Sequence, residues 1–90
     1  MPTIAWFYGI SIRMFFNDHP PPHFHAYYEG RSAVIDIETG EVTVGSLPPR
    51  ILRLVEAWRM RYIAELRDVW ARARRGDREP LGRIPGLDDE

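Results

Sequence analysis

The spacing of apolar positions along the chain changes near residue 47. Before it, apolar and polar side chains tend to alternate; after it, apolar side chains recur every three to four residues. Thr3 to Tyr8 and Ile10 to Phe16 are rich in β-branched and aromatic residues. Gly9 between them predicts a hairpin whose loop is either Tyr8-Gly9 or Gly9-Ile10. Asn17 to Pro22 is a loop. Its prolines Pro20, Pro21 and Pro22 have no amide to donate to a sheet and favour an extended polyproline segment. Two further turn signals, Gly30-Arg31 and Thr39-Gly40, divide the next stretch into a three-stranded meander. With both as two-residue loops, Tyr28 faces Ala33, Ala26 faces Ile35, Phe24 faces Ile37, and Ile37 faces Val42. One side of the meander is then apolar. The other carries His23, His25, Tyr27, Glu29, Val34, Asp36, Glu38, Glu41 and Thr43. A one-residue slip would mix the two sides.

After Gly45-Ser46-Leu47-Pro48-Pro49 the spacing predicts one long helix from about Pro49 to Arg75, stopped by Gly76. Ile51, Leu54, Val55, Trp58, Tyr62, Leu66, Val69 and Ala73 share a face, which Leu52, Ile63 and Trp70 widen. Strands followed by one helix make an α+β protein: an antiparallel sheet of four to five strands, an N-terminal hairpin plus the meander, packed on that helix. Residues 1–76 form the single domain. Residues 77–90 form a polar tail in which Leu81, Ile84 and Leu87 are placed to dock. A straight helix of this length spans roughly 39 Å, whereas strands of about seven residues span roughly 23 Å. The helix therefore overhangs its sheet, and a homodimer through the C-terminal helix is the expected cover.

Composition narrows the chemistry. The chain has 90 residues and a formal net charge of −1, so a uniformly basic nucleic-acid surface is excluded. It has no cysteine, which removes thiolate zinc sites and a thiol nucleophile. All 12 cationic residues are arginine, so no lysine base or Schiff-base amine is present. No stretch approaches the roughly 20 apolar residues of a membrane span. The opening Met1-Pro2-Thr3-Ile4 does not look like a signal peptide, so the cytoplasm is the expected compartment.

The segment Asp18-His19-Pro20-Pro21-Pro22-His23-Phe24-His25-Ala26, with the Met1-Pro2-Thr3-Ile4 opening, closely resembles the bacterial and archaeal domain-of-unknown-function 4160 family. The likeness continues through Gly40-Glu41, Leu47-Pro48, Glu65-Leu66 and Trp70. Pro22 is a mild departure, where Asn-Pro-Pro or Arg-Pro-Pro is expected. The resemblance implies a small intracellular prokaryotic protein, often encoded beside another small protein, and with it a role in a toxin–antitoxin-like pair. It brings no catalytic residues.

Those come from the polar side of the meander. His23 and His25, two apart on a strand, project from one face. In the register above, His25 lies opposite Asp36 and His23 opposite Glu38, with Asp18 and His19 at the edge. Three readings follow. His23, His25, His19, Asp18 and Asp36 can run general acid–base chemistry, suited to metal-independent RNA cleavage if Arg13 or another arginine steadies the phosphorane. His23 and His25 with Asp36 can instead bind zinc or another divalent metal. Or cross-strand His–carboxylate pairs can simply stabilise a solvated face, which is the commonest use of such pairs. All three histidines of the chain fall within this one short segment, which that last reading leaves unexplained. The functional readings are thus a nuclease-like toxin, a non-enzymatic interaction module with a small protein partner, and a metal-binding protein. Trp6, Tyr8, Arg13 and Tyr27 are candidates for stacking on single-stranded RNA, although packing accounts for most such residues. Arg59 falls on the apolar side of the helix and requires a carboxylate partner or a snorkelling path.

Overall fold

The computed structural model describes residues 2–76 and 82–89. Among these residues, five strands run in the order β1 (Thr3–Phe7), β2 (Ile10–Arg13), β3 (His23–Tyr28), β4 (Arg31–Asp36) and β5 (Val42–Gly45), each antiparallel to the next in one sheet. Two helices follow, α1 (Pro49–Arg61) and α2 (Ile63–Arg74). The expected α+β class and antiparallel sheet hold; the single long helix does not.

Tyr62 breaks the helix, with φ −115° and ψ 29°. Its amide still donates to the Trp58 carbonyl and its carbonyl still accepts from Leu66. Because one residue turns without losing those bonds, the three-four spacing passes through the break undisturbed and the sequence pattern does not register it. The bend lets Trp58 pack in the core on Phe7 and Phe24 while Trp70 reaches His23. Trp58 is wholly buried and Trp70 is 8% exposed, so the chain itself covers both indoles. The longest extent of the molecule is 34 Å, shorter than the roughly 39 Å of a straight helix of that length. The helical segment therefore reaches less far than the straight helix on which the expected overhang rests.

The sheet buries Ile4, Phe7, Ile12, Phe24, Ala26 and Ile35 against Ile51, Val55 and Trp58 of α1. Burying each large side chain of this kind contributes about 1.5–3 kcal/mol. The N-terminal hairpin closes through Tyr8-Gly9, both at positive φ, which sets Phe7 opposite Ile10. The second hairpin closes through Glu29-Gly30, at φ 46° and 77°, and not through Gly30-Arg31. Tyr28 thus faces Arg31 and Phe24 faces Ile35, a shift of two residues from the expected pairing. Since side chains alternate, a two-residue shift leaves every residue on its expected side. The last hairpin also differs: Ile35 pairs with Val42, and Ile37 lies in a wider turn, its amide bonded to the Pro22 carbonyl.

The described part of the C-terminal tail packs along β1. Ile84 is buried and donates its amide to the Ile4 carbonyl at 2.7 Å, and Trp58 Nε1 donates to the Pro85 carbonyl at 2.8 Å. Leu87 packs on the core, while Leu81 lies outside the described residues. Gly86 passes so close to β1 that a Cβ there would stand 2.7 Å from the Trp6 carbonyl oxygen.

Candidate functional site

Alternation along β3 sends Phe24 and Ala26 into the core and His23 and His25 to the opposite face, as expected from the sequence. The pairing places Asp36 opposite His23 and Val34 opposite His25, so the expected pairs of His25 with Asp36 and His23 with Glu38 are not formed. The earlier turn at Glu29-Gly30 is the cause. The Asp36 carboxylate serves the β4–β5 turn instead, where its Oδ1 accepts the Glu38 and Thr39 amides at 2.8 and 2.9 Å. Glu38 points to α2 and forms a two-pronged pair with Arg67.

Asp18 is the carboxylate that meets the imidazoles. The 14–22 loop folds back over the start of β3, with a cis bond between Pro20 and Pro21. Its return is fastened to the end of α2: the Asn17 amide donates to the Ala73 carbonyl, and Arg74 Nη1 donates to the Asp18 carbonyl. Asp18 Oδ2 then lies 2.7 Å from His23 Nε2 and 3.9 Å from His25 Nε2. The first is a hydrogen-bond distance; the second is too long for one. On its other side, His23 Nδ1 lies 2.7 Å from the Pro21 carbonyl oxygen. Asp18 Oδ1 accepts the His19 amide at 2.9 Å. The His19 ring is 89% exposed, outside the cluster, with Nδ1 3.2 Å from that same Oδ1. Among the described residues, His25 Nε2 is buried and has no hydrogen-bond partner. Phe15 packs edge-on against His25 at 4.5 Å between ring centroids, and Trp70 packs on His23 at 5.1 Å.

These surroundings move two groups. Burial alone would raise the Asp18 carboxyl, but the His19 amide, the His23 hydrogen bond and the charges of both rings outweigh it and hold the carboxyl below its usual range. Burial, followed by repulsion from His23, pushes the His25 imidazole below the ordinary histidine value; the attraction of Asp18 only partly offsets this. His25 is therefore biased toward its neutral form.

Asp18, His23 and His25 each offer one donor atom, and these atoms lie within 4.8 Å of one another. They open onto a cavity of about 350 Å³ that Val34, Asp36, Thr43 and Val44 also line. Of the five residues expected here, the structure brings three together, leaves His19 at the rim and assigns Asp36 to a turn. Phe15, Trp70 and Arg74, which hold the cluster in place, carry no signal in the sequence that links them to it. Asp18 carries one: it sits at the far end of the proline turn, five residues before His23. Elsewhere on the open face, Arg13 lies 4.3 Å over the Tyr27 ring and Trp6 is 55% exposed; Tyr8, equally exposed, sits in the β1–β2 turn.

No helix among the described residues is long and apolar enough to cross a membrane. No curated protein and no solved structure matches the chain. A family model described as domain of unknown function (DUF4160) matches residues 9–71, which includes Asp18, His23 and His25, and the chain belongs to that family.

Proposed function

We propose that this member of the DUF4160 family is a hydrolase of RNA phosphodiesters, acting at Asp18, His23 and His25 as the effector of a toxin–antitoxin-like pair in the cytoplasm. The observation that supports it most is the buried, partnerless His25 Nε2, which shares a cavity with a carboxylate–imidazole pair. Buried polar atoms are normally satisfied, and exceptions concentrate where chemistry is done. Hydrolysis adds water across a P–O bond: the water loses a proton to the site and the departing oxygen gains one. A neutral imidazole beside an imidazole–carboxylate pair suits that exchange near neutral pH. The Arg13–Tyr27 stack and exposed Trp6 on the same face suit single-stranded RNA, whose bases stack on aromatic and guanidinium planes.

The test is expression in cells together with cleavage of single-stranded RNA in vitro. Growth arrest and cleavage that both vanish in His25→Ala and Asp18→Asn, with the circular dichroism of the wild type retained, support the proposal. Harmless expression and an intact RNA substrate sink it.

A second reading, a protein-interaction module, draws on the sheet edges. The β1 edge is covered by Ile84, whereas β5 is the terminal strand, with no charged residue in Val42-Thr43-Val44-Gly45 and Val44 63% exposed. Unguarded edges of this kind take up a further strand, here from a small protein partner or a second copy. Retained partner binding by both site variants, without any RNA cleavage by the wild type, would favour this reading.

A further inference from the structure

We propose that Asp18 Oδ2, His23 Nε2 and His25 Nε2 together bind one divalent first-row transition ion, with zinc the leading candidate. This rests on the reading of the same cluster as the reactive site and deepens it: a bound ion takes over activation of the water, with the imidazoles as its ligands in place of proton carriers.

The distances come first. Zinc bonds of about 2.0–2.1 Å put neighbouring donors in a tetrahedral shell roughly 3.3 Å apart. The observed separations from Asp18 Oδ2, 2.7 and 3.9 Å, lie on either side of that value. All three donor atoms lie within 4.8 Å of one another.

Lone pairs make the stronger case. The Pro21 carbonyl can only accept, so His23 Nδ1 carries the hydrogen in that contact. In the neutral ring, Nε2 then presents a lone pair to Asp18 Oδ2, which is also electron-rich, at 2.7 Å. A positive centre must reconcile them. A shared proton would do so but would leave His25 Nε2 without a partner. An ion satisfies all three donors at once.

The supporting contacts also match a metal site. Ligating histidines commonly donate their second nitrogen to a backbone carbonyl, which orients the ring and fixes its tautomer; Pro21 does this for His23. The other Asp18 oxygen is held by the His19 amide, and the Asp18 carbonyl by Arg74. Phe15 and Trp70 lie against the two rings. Two nitrogens and one oxygen suit zinc or iron, and three protein ligands leave room for water in the cavity, the pattern of catalytic rather than structural zinc. Among the described residues no arginine lines that cavity. An ion there would supply the positive charge that phosphodiester hydrolysis requires and would make its bound water more acidic. Asp36, the carboxylate expected from the sequence, is engaged by two turn amides.

The experiment uses the full chain without a histidine tag, stripped with a chelator and titrated with Zn²⁺ by calorimetry and with Co²⁺ by visible absorption. The expected result is one ion per chain and the d–d bands of a four- or five-coordinate cobalt site. Co²⁺ should also quench Trp70 emission, because that indole touches His23. Asp18→Asn and His25→Ala should each weaken binding by about 100-fold or more. His19→Ala and Asp36→Asn should leave it nearly unchanged; asparagine still accepts the turn amides, so the latter keeps its fold. Absence of saturable binding at millimolar zinc, or equal affinity in wild type and a folded His25→Ala, overturns the proposal. So does RNA cleavage that persists undiminished in chelator, which would leave the nuclease reading standing. Stoichiometric binding without RNA cleavage would do the reverse, supporting the ion site and removing the nuclease.

Discussion

Arg59 at the β4–β5 turn and His25 on the open face of the sheet are both withdrawn from water, and the fold treats them in opposite ways. Arg59 is 6% exposed, and each of its nitrogens has a partner. Nε and Nη2 donate to the Glu56 carboxylate, and Nη1 donates to the Ile37 carbonyl at 2.7 Å. These bonds tie helix to turn, and hydrogen bonding to Glu56 raises the Arg59 pKa further. His25 has a buried nitrogen with no hydrogen-bond partner among the described residues. A buried charge with every nitrogen partnered is part of the scaffold. A buried lone pair left open costs stability and is kept where a ligand or a proton will use it.

The comparison is open to direct attack. Arg59→Ala should cost the most, about 2–4 kcal/mol, because it strands the Ile37 carbonyl, removes the pair with Glu56 and leaves a gap where a buried side chain stood. Thermal unfolding followed by circular dichroism measures it, and Arg59→Lys should recover only part, since an ammonium cannot make the two-pronged pair. Gly40→Ala attacks the same turn. At φ 76° its new Cβ would stand 2.5 Å from Glu56 Oε2 and 2.8 Å from Arg59 Nε, for an expected loss of about 1–3 kcal/mol in chemical denaturation.

On the other side of the comparison, His25→Leu should change stability by less than about 1 kcal/mol while abolishing zinc binding and RNA cleavage. A larger destabilisation would mean that His25 is scaffold too, and the contrast would collapse.

The smallest effect is on pH dependence. The folded state holds the His25 pKa below its ordinary value of 6.5, so below that pH the unfolded chain binds the proton more readily. Stability is full above that value and falls as the medium becomes more acidic. Asp18, also depressed in the fold, adds a second loss as pH falls below 3.8. In chelator, the drop in melting temperature between about pH 7.5 and 5.5 should be smaller in His25→Leu than in the wild type.

Much of the site could be read from the chain, and the limits of that reading are physical. His23 and His25 were expected on one flank, away from the core, and they are there. The register of β3 on β4 was expected two residues away from where it is. Glu29-Gly30 and Gly30-Arg31 are both workable turns, and a two-residue slide keeps every side chain on its side, so the polarity pattern cannot tell them apart. The choice falls on a non-glycine residue, Glu29, at positive φ. The bend at Tyr62 was concealed in the same way, because an apolar stripe continues through a break that keeps its hydrogen bonds.

By itself, then, the sequence determined which side chains share a flank. Strand alternation and helical period are properties of the local backbone, present wherever the element ends up. Only the tertiary structure decided which carboxylate meets the imidazoles. Asp36 was the neighbour expected from pairing, and Asp18 is the one delivered, because Ala73 and Arg74 anchor the 14–22 loop across the start of β3. That anchorage joins residues more than fifty positions apart, and no local pattern carries it.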